Sequence, residues 1–388
     1  MKSIKYMFGC ALLWGSLSLI SCDNADSPAL NDAVYLVESE NGVENLLIDD
    51  ETGNIGSVTV KKASPASEDV KVTLQVSKAD VDEYNSQNGT NYEILPEGSY
   101  EILTPEVTIK AGEVSSERAE VKILPLSEEM KNSGKKYILP IAIASTSNPN
   151  LQILNNRKSA YYGCTFVLIS KAVVVPQPVA IDCHMRQEYN LPEWTLEMRI
   201  KTSICRAGIN NQAFCNIISD KGPGSGYIYG RFEGANLLLA VNQKGCNFQI
   251  EGGPKPNTWY HLAVVYRASS GTVECYLNGV LNNTVQASQF EKVCNFSANK
   301  FKLALTNKRG TFTMHEVRWW TKAISASQIK NNMFNIDPQS DGLEAYWKMN
   351  EGEGAILHDA TGHGNDAELT PQDQLGKVKW ETVRSDGK

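Results

Sequence analysis

Short runs of alternating apolar and polar residues, broken by polar turns, recur from Val34 onward. Val70, Val72, Leu74 and Val76 fall on one face at period two, with Lys71 and Thr73 on the other. That is the period of a strand with one buried face. Val34–Val37, Ser57–Val60, Ala119–Leu124, Tyr137–Ala144 and Tyr161–Ile169 read as further strands. One helix is predicted among them, over Lys78–Ser86, closed by Asn88-Gly89. In the second half, Glu193–Ile200 and Trp259–Tyr266 alternate in the same way. Thr272–Leu277 runs into Asn278-Gly279, a pair that tolerates positive φ and so predicts a two-residue hairpin. Ser325, with Gln328 three residues on, predicts a capping box and a short helix. The pattern predicts an all-β chain of two β-sandwich domains in tandem.

At 388 residues the chain is too long for one ordinary domain. Residues 34–170 are expected to form the first sandwich and 181–388 the second. Between them, 171–180 contains Pro176 and Pro178, which favour extended backbone and predict a semi-rigid spacer. Val173–Val175 could also pair as an edge strand.

Residues 1–21 depart from the pattern. Lys2 and Lys5 precede a short apolar stretch, Met7–Ile20, too short for a mature membrane span. It ends in Leu19-Ile20-Ser21-Cys22, which resembles a bacterial lipobox, with Cys22 the lipidated first residue and 22–33 a tether. Each buried acyl methylene contributes about 0.8 kcal/mol, so several chains hold firmly. The expectation is an outer-membrane protein, anchored by lipid alone and facing the cell surface.

Charge adds an exclusion. The formal net charge is −7, and −9 once Lys2 and Lys5 leave with the signal. No basic patch suited to phosphates is visible, so nucleic acid is not an expected partner. The composition equally argues against a coiled coil and a polytopic membrane protein.

Two stretches resemble known families. Val81-Asp82-Glu83-Tyr84-Asn85, then Asn91–Pro96 and Ser99-Tyr100, resemble a domain of unknown function near the N-terminus of many surface lipoproteins and glycosidases of the Bacteroidota. The resemblance implies a setting and not a reaction. The second half carries Trp194–Ile200, Trp259-x-His261-x-Ala263, Glu316-Val317-Arg318 and Gly342–Trp347, continuing to Asp359-x-Thr361-Gly362-x-Gly364-Asn365. These blocks, in order, resemble the laminin-G or concanavalin-A-like jelly roll. The expected architecture is thus an immunoglobulin-like sandwich followed by a concanavalin-A-like one. His315 and Asn350 stand where relatives often carry acids, which weakens any metal site carried over.

Candidate chemistry follows from these strands. Glycosidases need two carboxylates facing one bond. Glu193 and Glu197 share a strand that matches the structural one of the jelly roll, and Glu351 and Glu353 lie in a glycine-rich turn. Neither pair makes a convincing catalytic set, so an enzyme is the minor alternative. Sugars are held by aromatic rings against their C–H faces and by hydrogen-bonding groups at the rim. In Tyr227–Phe232, Ile228 and Phe232 face one way while Tyr227, Tyr229 and Arg231 face the other. These three are the candidate glycan-binding residues, with a polysaccharide or host glycan as partner and outer-membrane transporter components as possible neighbours. A protein-binding or adhesion module is the other alternative. Val317 and Trp319 are expected in the core, and Trp320 against the short helix that follows.

The jelly-roll resemblance implies a structural calcium in the Asp359–Asn365 loop. Asp359 would supply a carboxylate, Asn365 an amide oxygen, and Asp182 an approach from the opposing terminal strand. The alternative is a plain turn in which Asp359 caps backbone amides. Six cysteines, Cys183, Cys205, Cys215, Cys246, Cys275 and Cys294, permit disulfides outside the cytoplasm or serve as buried thiols.

Overall fold

A computed structural model describes residues 32–206, 212–234 and 236–385. Cys22 and the expected signal segment lie outside the described residues. The chain is nearly all β and forms two sandwiches.

In the first sandwich, one sheet runs Gln152–Ile153, Ala33–Leu36, Asn54–Lys62, Ser115–Ile123, Tyr100–Ile102. The other runs Val43–Leu47, Ser159–Thr165, Tyr137–Thr146, Val70–Val76, Glu106–Ile109. Val58, Val60 and Val121 from one sheet meet Val72, Leu74 and Ile141 from the other in a single core. The predicted helix extends over Lys78–Asn88, and Gly89 closes it in the left-handed region at φ 62°.

The second sandwich is larger, with two eight-stranded sheets. The front sheet runs Lys244–Gly245, Asn236–Val241, Tyr227–Glu233, Gln212–Ile218, Phe301–Leu303, Ala180–Cys183, Ala367–Thr370, Ile356–Leu357. The back sheet runs Val280–Gln286, Thr272–Leu277, Tyr260–Arg267, Glu193–Thr202, Phe312–Trp320, Ile169–Val175, Lys379–Arg384, with Leu343–Trp347 also paired to Phe312–Trp320. Inward residues alternate with outward ones as the period demands. Trp194, Leu196, Met198 and Ile200 enter the core between the sheets, opposite Ile228 and Phe232. Each such side chain, fully buried, contributes roughly 1.5–3 kcal/mol. Trp319 joins this core, whereas Trp320 packs with Ile324 and Ile329 beneath the short helix Ala326–Asn331. Ser325 and Gln328 form the expected capping box, and Asn278 and Gly279 both take positive φ in the hairpin.

The expected spacer at 171–180 is corrected. Ile169–Val175 is an internal strand, paired to Phe312–Trp320 on one side and Lys379–Arg384 on the other. Ala172, Val173 and Val175 are fully buried, because burying these apolar side chains outweighs leaving them on a solvated spacer. Only the Pro176–Pro178 turn remains of the linker, leading into Ala180–Cys183 on the front sheet. The predicted strand Tyr161–Ile169 accordingly divides. Ser159–Thr165 closes the first sandwich and Ile169 opens the second.

The two sandwiches touch. Asn335 Nδ2 donates to the Lys131 carbonyl at 2.9 Å, and Lys348 Nζ to that of Asn132 at 3.2 Å. Gly134 lies so close that a Cβ there would fall 2.0 Å from the Ile336 carbonyl.

Candidate functional site

The strand Tyr227–Glu233 alternates half-buried and buried positions along its whole length. Ile228, Gly230 and Phe232 face the core, so Tyr227, Tyr229 and Arg231 stand together on the outer face of the front sheet. The two tyrosine rings are 6.3 Å apart at an interplanar angle of 22°. The Arg231 guanidinium carbon lies 5.9 Å from the centre of the Tyr229 ring, and Arg231 pairs with Glu233. Small or polar neighbours flank this platform: Tyr229 sits between Asn216 on one strand and Ala240 on the other. Partial burial pushes the Tyr227 hydroxyl above its ordinary value, so it stays neutral and able to donate. The same outer row continues from Asn216 to Lys302 and Asp182 on the next two strands.

Asp182 therefore belongs to the front-sheet row and not to a metal loop. Its carboxylate accepts from Lys302 Nζ at 2.8 Å and from Thr370 Oγ1 at 3.1 Å. Asp359 and Asn365 do come together, but in a turn. Asp359 Oδ1 accepts from the backbone N–H of Tyr346 and of Thr361, both at 3.0 Å, and from Thr361 Oγ1 at 2.7 Å. Its Oδ2 accepts from the Asn365 backbone N–H at 3.1 Å. Asn365 Oδ1 in turn accepts from the Arg186 N–H at 2.8 Å. Calcium wants six to eight free oxygen ligands. Here the oxygens already face donors, and no group of three acidic, histidine or cysteine side chains converges among the described residues. The donor set does not fit calcium, and the capped turn is what the chain forms.

The outer face of the back sheet holds residues that the spacing alone did not single out. Glu197, His261 and Arg318 are buried there beside Glu316 and His315. Arg318 pairs with Glu316 and lies 3.7 Å from Glu197, whose other contacts are Trp320 Nε1 at 2.8 Å and His261 Nε2 at 3.5 Å. Glu316 also accepts from the Tyr346 hydroxyl. The neighbouring arginine and histidine keep the Glu197 carboxyl below its ordinary value despite full burial. The register slips by one residue between Glu197 and Arg199, and Glu316 sits at φ 54° in this bulge. The two carboxylates are thus committed to Arg318 and indole or phenol donors, not held free for a glycosidic bond. Alternating charges at Glu197, Arg199 and Lys201 were the available signal, but alternation on a strand reads as a solvated face.

All seven cysteines in the described residues are free, and only Cys205 is not fully buried. The disulfides that the sequence allowed are not formed among them.

Two family models match the chain. One, described as an N-terminal domain, covers residues 29–150. The other, the concanavalin A-like lectin/glucanases superfamily, covers 190–330. No curated protein matches. Among solved structures, a candidate carbohydrate binding protein from Bacteroides ovatus is 22% identical with a TM-score of 0.60, covering 90% of this chain and 98% of its own. The similarity there is one of fold. A SAP-like pentraxin from Limulus polyphemus is 14% identical, with a TM-score of 0.37 over 53% of this chain and 97% of its own. A two-domain protein with unknown function from Bacteroides fragilis is 12% identical, with a TM-score of 0.30 over 76% of this chain and 91% of its own.

Proposed function

We propose that this chain is a non-catalytic glycan-binding protein, tethered to the outer membrane through a lipid on Cys22 and presenting its second sandwich to polysaccharide. The reading is carried by one observation. Tyr227 and Tyr229 hold nearly parallel, half-exposed rings on the outer face of a sheet, beside Arg231 and Asn216. Such a platform suits the apolar face of a sugar ring, with the guanidinium and amide reaching its hydroxyls. The concanavalin A-like match and the fold shared with a candidate carbohydrate binding protein support it. The first sandwich serves as a spacer from the membrane, and captured glycan passes to a transporter.

Affinity gels cast with plant and host polysaccharides test this on the full chain. Retention is expected on at least one gel. Replacing Tyr227 and Tyr229 together by alanine should abolish it while leaving the melting temperature within a few degrees, because neither ring is in the core. Undiminished retention by the double variant would refute the assignment of the site.

A further inference from the structure

The contact between the sandwiches encloses a narrow cleft. Its walls include Arg199, His315 and Glu316 from the back sheet, Phe334 and Lys348 from the segments that follow, and Asn132 from the first sandwich. Arg199 is 9% exposed. Its guanidinium carbon is 4.3 Å from the Phe334 ring centre and 5.4 Å from that of Trp259, and no carboxylate lies within ion-pair reach of it among the described residues. Glu316, the acid of the cleft, is already held by Arg318 and Tyr346. His315 is 3% exposed and its Nε2 has no hydrogen-bond partner among the described residues. Lys348 adds an ammonium at the mouth, which donates to the Asn132 carbonyl and lies 5.5 Å from the centre of the Tyr346 ring. Glu316 acts on Arg199 only from beyond ion-pair distance and is shared with Arg318. A buried arginine so weakly compensated, next to an unsatisfied imidazole, is costly unless an anion completes the set.

We infer that this cleft is an anion site that takes the carboxylate of an acidic sugar, with Arg199 as its fork. A guanidinium clamped between two aromatic rings presents its N–H edge, and that edge matches a carboxylate in two parallel hydrogen bonds. Neutral His315 supplies a further ring nitrogen, for burial and the neighbouring arginines and lysine hold it well below its ordinary value. The space is too narrow for a whole sugar, so the ring stays at the mouth, where Ser170, Asn350 and Ser385 offer hydroxyl and amide groups. The carboxylate site stands on its own geometry; only the choice of a sugar as carrier rests on the glycan-binding reading.

Calorimetric titration of the full chain with galacturonate, glucuronate, glucose and inorganic sulfate tests it. At least one uronate should bind saturably and more weakly as salt rises, and glucose should give no heat. Arg199→Gln should weaken the uronate at least tenfold, and Lys348→Met, at the mouth, should weaken it less while leaving the fold intact. The Tyr227 and Tyr229 double alanine variant should bind the uronate as the parent does. That result separates this cleft from the tyrosine platform, whose own failure shows on neutral polysaccharide gels. Equal binding of uronate and glucose, or Arg199→Gln and Lys348→Met both at parental affinity, overturns the proposal. Binding of sulfate where both uronates fail overturns the carboxylate assignment.

Discussion

The cysteines show how a side chain's surroundings set its chemistry. Cys164, Cys215 and Cys246 are buried, which pushes each thiol up to about 12, and Cys205, half-buried, to about 11. The thiolate is the reactive form, so at pH 8 these groups are almost wholly protonated. Ellman's reagent at that pH should give little rapid colour with the native protein, and reactivity should climb only as pH rises toward 11, Cys205 first. Seven thiols from the described residues should appear on unfolding in denaturant. Fast release of several equivalents from the native state would contradict the burial. The same logic governs Arg318, which is fully buried and tolerable only because Glu197 and Glu316 flank it.

Among elements, the turn that carries Asp359 joins sequence to stability most directly. Its carboxylate receives the backbone N–H groups of Tyr346, Thr361 and Asn365, so one side chain fastens the loop to the Leu343–Trp347 strand. Asp359→Ala leaves these buried donors unpaired, at about 1–3 kcal/mol for each. Urea unfolding should show a loss of at least about 3 kcal/mol. Chelator and added calcium should both leave the parent's melting temperature where it was. A calcium-dependent rise of several degrees would show that the turn opens to a metal after all. Glycines here let the chain reverse, with Gly362 and Gly364 both at positive φ. The Asp-x-Thr-Gly-x-Gly-Asn spacing made this loop legible in the sequence, but which donors its carboxylate meets was not. That depends on Tyr346, which arrives from a strand 13 residues earlier.

Taken whole, the molecule depends on how one sandwich rests on the other. Gly134 is at φ 76° with no room for a Cβ against the Ile336 carbonyl. Gly98, in the same sandwich, has φ 85° and open space around the same position. Gly98→Ala therefore pays only the backbone strain, and Gly134→Ala adds a clash across the contact. Calorimetry should show the Gly134 variant melting several degrees below the Gly98 variant, and small-angle scattering should show it more extended. Equal behaviour of the two would mean that the contact does not couple the sandwiches. The cleft at Arg199 would be expected to weaken with it, since Asn132 forms one of its walls.

The alternation of apolar and polar residues determined the strands, the helix cap at Ser325, the Asn278-Gly279 hairpin and the outward set Tyr227, Tyr229 and Arg231, because each depends on local period or local backbone preference. Tertiary structure decided what lies over each face. A polar stripe such as Glu197, Arg199 and Lys201 reads the same in sequence whether water or a second sandwich covers it. Only the packing of residues from distant parts of the chain buried Glu197 with Arg318, left Arg199 with no carboxylate at ion-pair distance among the described residues and turned Val173–Val175 from a spacer into an internal strand. Burial and charge pairing are properties of such long-range contacts, and no window of sequence contains them.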